Sequence, residues 1–238
     1  FVVLTLTPLQ PDEAVTISAP EDSLGLAEFE VLPGMEILQV TLRDGTGDAD
    51  FFLIHPDGTF SVAATGGSND TFSVSLPGAG LWTLSVLAFS EYSDVALGIS
   101  FPVPQLIESN TRVMALSDVD TGERFYRLEV PEGAPSLTVE TTGGTGDADL
   151  FVKQGRPSVC SGFIAFVRGQ CVFDQFLGDL SNEERVHFEN PAPGDWFIDL
   201  LAFEAYSDLT LIVSTTGQRP GPHNGGVLDS GVPGTFGF

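Results

Sequence analysis

Basic residues are scarce in this chain of 238 residues: 9 Lys+Arg stand against 33 Asp+Glu, and Lys153 is the single lysine. The formal charge of −24 and the pI near 4.1 exclude a basic face for nucleic acid or an anionic membrane, because phosphate binding needs one. Such a surface attracts divalent cations instead, and it would also suit a salty habitat. Long apolar runs are missing too: nothing approaches the roughly 18 residues of a helical membrane span. No leader is legible, and the first residue is Phe1 rather than Met, so the sequence reads as a mature or trimmed product. No stretch sustains the helical period of about 3.6. G-x-S-x-G and H-E-x-x-H are absent, and His55, His187 and His223 stand in unrelated contexts, which argues against a nucleophilic triad or a zinc site. Asp120-Thr121-Gly122 and Asp229-Ser230-Gly231 echo aspartic proteases, but they are not equivalent positions of a symmetric pair, as that mechanism would require.

Cysteine is limited to Cys160 and Cys171. One even pair in an acidic, strand-rich chain predicts a disulfide made outside the cytoplasm, with two free thiols as the other reading.

Phe, Gly and Pro are abundant, at 19, 27 and 16, and a twofold repeat runs through them. Gly-Thr-Gly-Asp-Ala-Asp occurs at 45–50 and again at 144–149, 99 positions later. Farther on, Ala88-Phe89-x-x-Tyr92-Ser93-Asp94 returns as Ala202-Phe203-x-x-Tyr206-Ser207-Asp208, now 114 positions later. The second repeat therefore carries about 15 extra residues, and both cysteines lie among them. Segments such as 38–42, 72–76, 82–89 and 95–100, with partners at 136–141, 185–190, 196–203 and 209–214, alternate with period two between Pro-Gly, Asp-Gly and Gly-Gly turns. An all-β chain of two β-sandwiches follows. Trp82, Trp196, Tyr92 and Tyr206 recur at equivalent places and are expected in the cores.

The hexamer admits two readings. Asp48 and Asp147 can accept backbone N–H groups in a turn, with Asp50 and Asp149 holding a neighbouring loop or a tyrosine of the repeated corner. Alternatively the four carboxylates contribute to calcium sites, although calcium wants six to eight oxygens.

The stretch "GGTGDADLFV" at 143–152, the cysteine loop, and "PAPGDWFIDLLAFEAYSDLTLIV" at 191–213 resemble the bacterial pre-peptidase C-terminal (PPC) domain family. The second repeat resembles it nearly throughout and the first more loosely, so that the resemblance extends over about four fifths of the chain. It implies two tandem jelly-roll-like antiparallel β-sandwiches, secreted and without catalytic activity, which usually accompany peptidases. The collagenase relatives further imply a calcium site in an acidic linker and the following turn, here Glu108, Asn110, Asp118 and Asp120, with Asp12, Glu13, Glu21 and Asp22 comparably placed in the first repeat. A solvated acidic face is the alternative.

The expected organisation is an N-terminal strand and linker at 1–14, sandwiches at 15–101 and 112–215, a linker at 102–111, and a Gly/Pro-rich tail at 216–238 that is disordered in a free monomer. Residues 1–7 resemble the last strand of a repeat that is not there. With Val2, Leu4 and Leu6 on one face, that strand would suit donation to a neighbour. The favoured expectation is thus a non-catalytic extracellular subunit that polymerises with copies of itself through strand exchange. The alternative is the accessory C-terminal region of a secreted peptidase, with an upstream peptidase domain or an extracellular polymer as partner, as in a calcium-dependent adhesin.

Overall fold

Alternation of side chains across each strand builds every layer of the computed structural model, which describes residues 2–6, 8–160, 169–217 and 226–228. The chain divides into two compact units, one built on Phe1–Pro102 with Cys160–Cys171, the other on Val103–Val159 and Val172–Pro233.

The first unit holds β1 (Val2–Thr5), β2 (Val15–Ala19), β3 (Ser23–Val31), β4 (Ile37–Arg43), β5 (Ala49–Ile54), β6 (Phe60–Ala63), β7 (Asp70–Ser75), β8 (Gly80–Ala88) and β9 (Tyr92–Ser100). One sheet runs β1-β3-β8-β5-β6 and the other β2-β9-β4-β7. In β3, Ala27, Phe29 and Val31 are buried while Glu28 and Glu30 face water, the alternation of a sheet wet on one side. The inward residues of both sheets, among them Val40 and Leu42 of β4 and Phe51, Leu53, Leu84 and Val86 of β5 and β8, form one core. The unit is a two-sheet β-sandwich.

The second unit repeats this plan. Its strands are β10 (Gln105–Leu106), β11 (Thr111–Asp118), β12 (Glu123–Val130), β13 (Ser136–Thr142), β14 (Thr145–Gln154), β15 (Gln175–Leu177), β16 (Arg185–Glu189), β17 (Gly194–Ser214) and β18 (Gly226–Leu228). β17, at 21 residues, does the work that β8 and β9 share in the first unit. Its first part pairs with β12 and β14, and its second with β11 and β13. Trp82 and Trp196 are both core residues, and each indole N–H donates to the carbonyl four residues earlier, Gly78 and Ala192, at 2.9 Å. Tyr92 and Tyr206 are buried as expected.

The N-terminal strand corrects the sequence expectation. β1 lies parallel on β3 of its own unit, Val2 opposite Ser23 through Thr5 opposite Leu26, and Leu6 N donates to Leu26 O at 2.8 Å. Leu4 and Leu6 pack against the core, and Leu6 so covers Gly25 that a Cβ there would sit 3.0 Å from it, whereas Val2 is exposed. β10 has the same place in the second unit, parallel on β12, with Ile107 N donating to Arg127 O at 2.9 Å. Residues 2–6 are therefore the opening edge strand of a repeat, matched by residues expected to be linker. β1 is thus paired within its own unit, which removes the orphan strand on which the polymerising-subunit expectation rests. The tail also departs from expectation: Gly226–Leu228 forms β18, parallel on β11 from Arg112 to Met114. His223 and Asp229-Ser230-Gly231 lie outside the described residues.

Cys160 and Cys171 are joined in a disulfide. Mass-shift labelling of denatured, unreduced protein should find no free thiol, and reduction should lower stability by about 2–3 kcal/mol for a loop of this size. Two titratable thiols would contradict the bond.

Candidate functional site

The two repeated motifs are partners of each other. In the first unit Thr46 and Ser93 exchange backbone hydrogen bonds at 2.9 and 3.0 Å, and the Asp48 carbonyl accepts Phe89 N and Ser90 N at 3.0 and 3.2 Å. The glycines are needed for this approach. Gly47 and Gly146 have φ of +95 and +98, and a Cβ on either would lie 2.0 or 2.1 Å from the carbonyl oxygen of Glu91 or Ala205. The hexamer is a turn that receives the tyrosine corner, so its repetition follows from the repetition of the fold.

That turn also delivers carboxylates to one end of each sandwich, where the structure adds a third that sequence reading missed. In the first unit Asp48 and Asp50 come from the turn and β5, and Asp70 from the start of β7 in the opposite sheet. In the second, Asp147 and Asp149 of β14 meet Glu184, immediately before β16. Glu184 follows Asp70 by the same 114 positions that separate the two tryptophans, which is the signal that would have found it.

Burial and mutual repulsion raise the pKa of Asp50, Asp70, Asp147, Asp149 and Glu184. Burial, then Asp70 and Asp48, push Asp50 up to about 7. Asp70 rises to about 6, chiefly through burial, against the Thr65 hydroxyl, which donates to it at 2.7 Å, and against Arg43. In the second unit burial, then Asp147 and Glu184, push Asp149 up to about 7, and burial leads for Glu184, also about 7, with Asp179 and Asp147 adding to it. Asp147 is raised by burial, Glu204 and Asp179.

The loop before Glu184 is fixed by side chains. Glu183 accepts Gly143 N at 2.8 Å and the Thr142 hydroxyl, and Asn182 Nδ2 donates to Gly143 O at 3.2 Å. Asn69 fills the place of Glu183 in the first unit, accepting Asp44 N at 3.0 Å. Glu184 Oε1 accepts Asp179 N at 2.7 Å, and a Cβ added to Gly178 would lie 3.0 Å from Asp149 Oδ1, so both carboxylates flank the Gly178–Asp179 peptide. Of the two roles considered for Asp50 and Asp149, the bond to a corner tyrosine is not made: the Tyr92 and Tyr206 hydroxyls have no hydrogen-bond partner among the described residues.

The linker-and-turn calcium set is not assembled. Asn110 and Asp118 bracket β11 and so lie on the order of 20 Å apart at about 3.3 Å per residue. Asn110 Oδ1 instead accepts Thr215 N at 3.0 Å and the Thr216 hydroxyl at 3.2 Å. Asp118 forms a buried ion pair with Arg124 at 3.2 Å and accepts Val119 N at 2.9 Å. Glu108 and Asp120 are exposed, as are Asp12, Glu13, Glu21 and Asp22. Among the described residues, no three His, Cys, Asp or Glu side chains stand close enough together to hold a metal ion without rearrangement.

A Ser–His contact exists in the first unit, His55 Nε2 to Ser61 Oγ at 2.8 Å. Asp57, the carboxylate that acts on His55, is occupied by Thr59 N and the Thr59 hydroxyl, and Ser61 is buried. The imidazole lies against Trp82, with ring centroids 4.3 Å apart, and burial lowers its pKa. His187 Nδ1 lies 2.8 Å from Thr138 Oγ1. Neither histidine is set up as the base of a triad.

Residues 122–201 match the bacterial pre-peptidase C-terminal domain. The match lies inside the second unit and spans β12 to the first part of β17. Two curated proteins are each 41% identical to this chain over 61 residues, a Helicobacter pylori protein named zinc metalloprotease and a Vibrio cholerae serotype O1 protein named hemagglutinin/proteinase. The matched quarter of this chain covers 23% of the first and 10% of the second. Among solved structures, an anti-sigma factor domain-containing protein aligns over 87% of both chains at 10% identity with a TM-score of 0.24, too slight a likeness to carry an argument. Among the described residues no helix is long and apolar enough to cross a membrane, which leaves strand-built barrels unaddressed.

Proposed function

We propose that this chain is a non-catalytic, extracellular accessory region of a secreted peptidase, standing C-terminal to the catalytic domain. The observation that carries the reading is the match of residues 122–201 to a domain described by its place after peptidases. The names of the two relatives that share 61 residues with this chain point the same way. A disulfide supports an oxidising compartment. The partner is then an upstream peptidase domain, and the two sandwiches assist its secretion or its hold on substrate.

Incubated with casein or gelatin in the presence of zinc and calcium, the purified chain should release no peptides. The reading frame upstream of the Phe1 codon should encode a peptidase catalytic domain. Steady hydrolysis by the purified chain, or an upstream frame without a peptidase, overturns the proposal.

A further inference from the structure

The carboxylate end of the second unit contains more oxygen than its fold uses. Asp147, Asn182 and Glu184 are 6%, 5% and 1% exposed, and each keeps one oxygen, Oδ1, Oδ1 and Oε2 respectively, without a hydrogen-bond partner among the described residues. Burying such an oxygen unpaired is costly, and burying ionised carboxylates together is more so. In two of these residues the other polar atom serves the loop: Asn182 Nδ2 donates to Gly143 O and Glu184 Oε1 accepts Asp179 N. The idle oxygens therefore have no structural duty.

The first unit differs at two informative positions. Its cluster contains Arg43, which acts on Asp70 and donates to the Thr71 hydroxyl at 2.8 Å. The position 99 residues on is Thr142, which carries no charge. Thr65, whose hydroxyl bonds Asp70, is replaced 114 residues on by Asp179. The second unit has thus exchanged an arginine and a threonine for a threonine and another carboxylate. The charges acting on Asp149 and Glu184 all come from carboxylates, and the neighbouring Arg185 is paired with Glu140 at 2.9 Å.

We propose that Asp147, Asp149, Asn182 and Glu184, with Asp179 at the rim, form a calcium site in the second unit. These side chains can supply most of the six to eight oxygens that calcium takes, with water completing the shell. Like charges repel, so an arriving cation has to draw the carboxylates inward. Calcium's flexible coordination accommodates that rearrangement, while magnesium demands a tight octahedron and gives up its waters reluctantly. The site is separate from the linker-and-turn set, of which Asn110 and Asp118 are engaged elsewhere, and it does not depend on the peptidase reading.

The test is thermal unfolding of EDTA-treated chain at neutral pH with 1 mM calcium or magnesium, at matched ionic strength. A ligand that binds only the folded state raises the unfolding temperature by mass action, here by about 5 °C or more with calcium and by much less with magnesium. Glu184→Gln should abolish the calcium shift while leaving the EDTA-treated protein as stable as the parent or more so, because a buried charge has gone. Asp149→Asn should behave likewise and serves if the first variant fails to fold. The exposed Glu132→Gln should keep the full shift. Equal shifts with the two cations, no shift at all, or a calcium shift that survives both Glu184→Gln and Asp149→Asn overturns the proposal.

Discussion

Gly146→Ala should cost about 3–5 kcal/mol, at the upper end of what a single substitution does. The backbone at Gly146 has φ +98, where an L side chain is strained by about 1–3 kcal/mol. The rest comes from contact. A Cβ would stand 2.1 Å from Ala205 O and 2.6 Å from Tyr206 Cα, both backbone atoms of β17 that cannot swing aside. The corner would have to lift off the turn, and the adjacent Asp147 with it. Gly133→Ala is the matched control. Its φ is +74 and nothing lies within 4 Å of the new Cβ, so only the backbone cost of about 1 kcal/mol applies. Urea unfolding of both variants checks the comparison, and a Gly146→Ala loss no larger than that of Gly133→Ala would show that the turn and corner are not in rigid contact.

Much of this architecture is legible in the letters because strand period, turn residues and repetition are local properties. The Gly-Thr-Gly-Asp-Ala-Asp turn, the alternation in β3 and the recurring Trp82 and Trp196 each identify themselves without knowledge of their partners. What stays hidden depends on pairing at a distance. Residues 2–6 have the composition of any sandwich strand, and only their parallel register on β3 shows that they open a repeat rather than close one. Glu184 escapes notice because its counterpart is an aspartate, because the cysteine insertion shifts the offset from 99 to 114, and because it reaches Asp149 from the start of β16, which pairs with β13 and not with β14. Asp118 misleads in the opposite sense. An acidic turn reads as solvated or metal-binding until the next strand brings Arg124 back against it.

That pair supplies a second large effect. Asp118 and Arg124 meet at 3.2 Å with side chains only 5% and 10% exposed, and an Arg124 amino group also donates to Ser117 O at 2.6 Å. Removing one member of a buried pair leaves the other charge desolvated and uncompensated, at a cost of about 3–5 kcal/mol. Arg124→Met should therefore destabilise the second unit by that amount. Burying a neutral pair of similar volume avoids the penalty, so Asp118→Asn combined with Arg124→Met should recover most of the loss. Urea unfolding of the two single variants and the double variant measures the coupling. Additive losses would mean that the two side chains do not compensate each other. The same double variant separates the two acidic regions, since its calcium-induced rise in unfolding temperature should equal that of the parent. A rise that vanishes with Asp118 neutralised but survives Glu184→Gln would place the ion in the β11–β12 turn, where the arginine would have to release its carboxylate to let it bind.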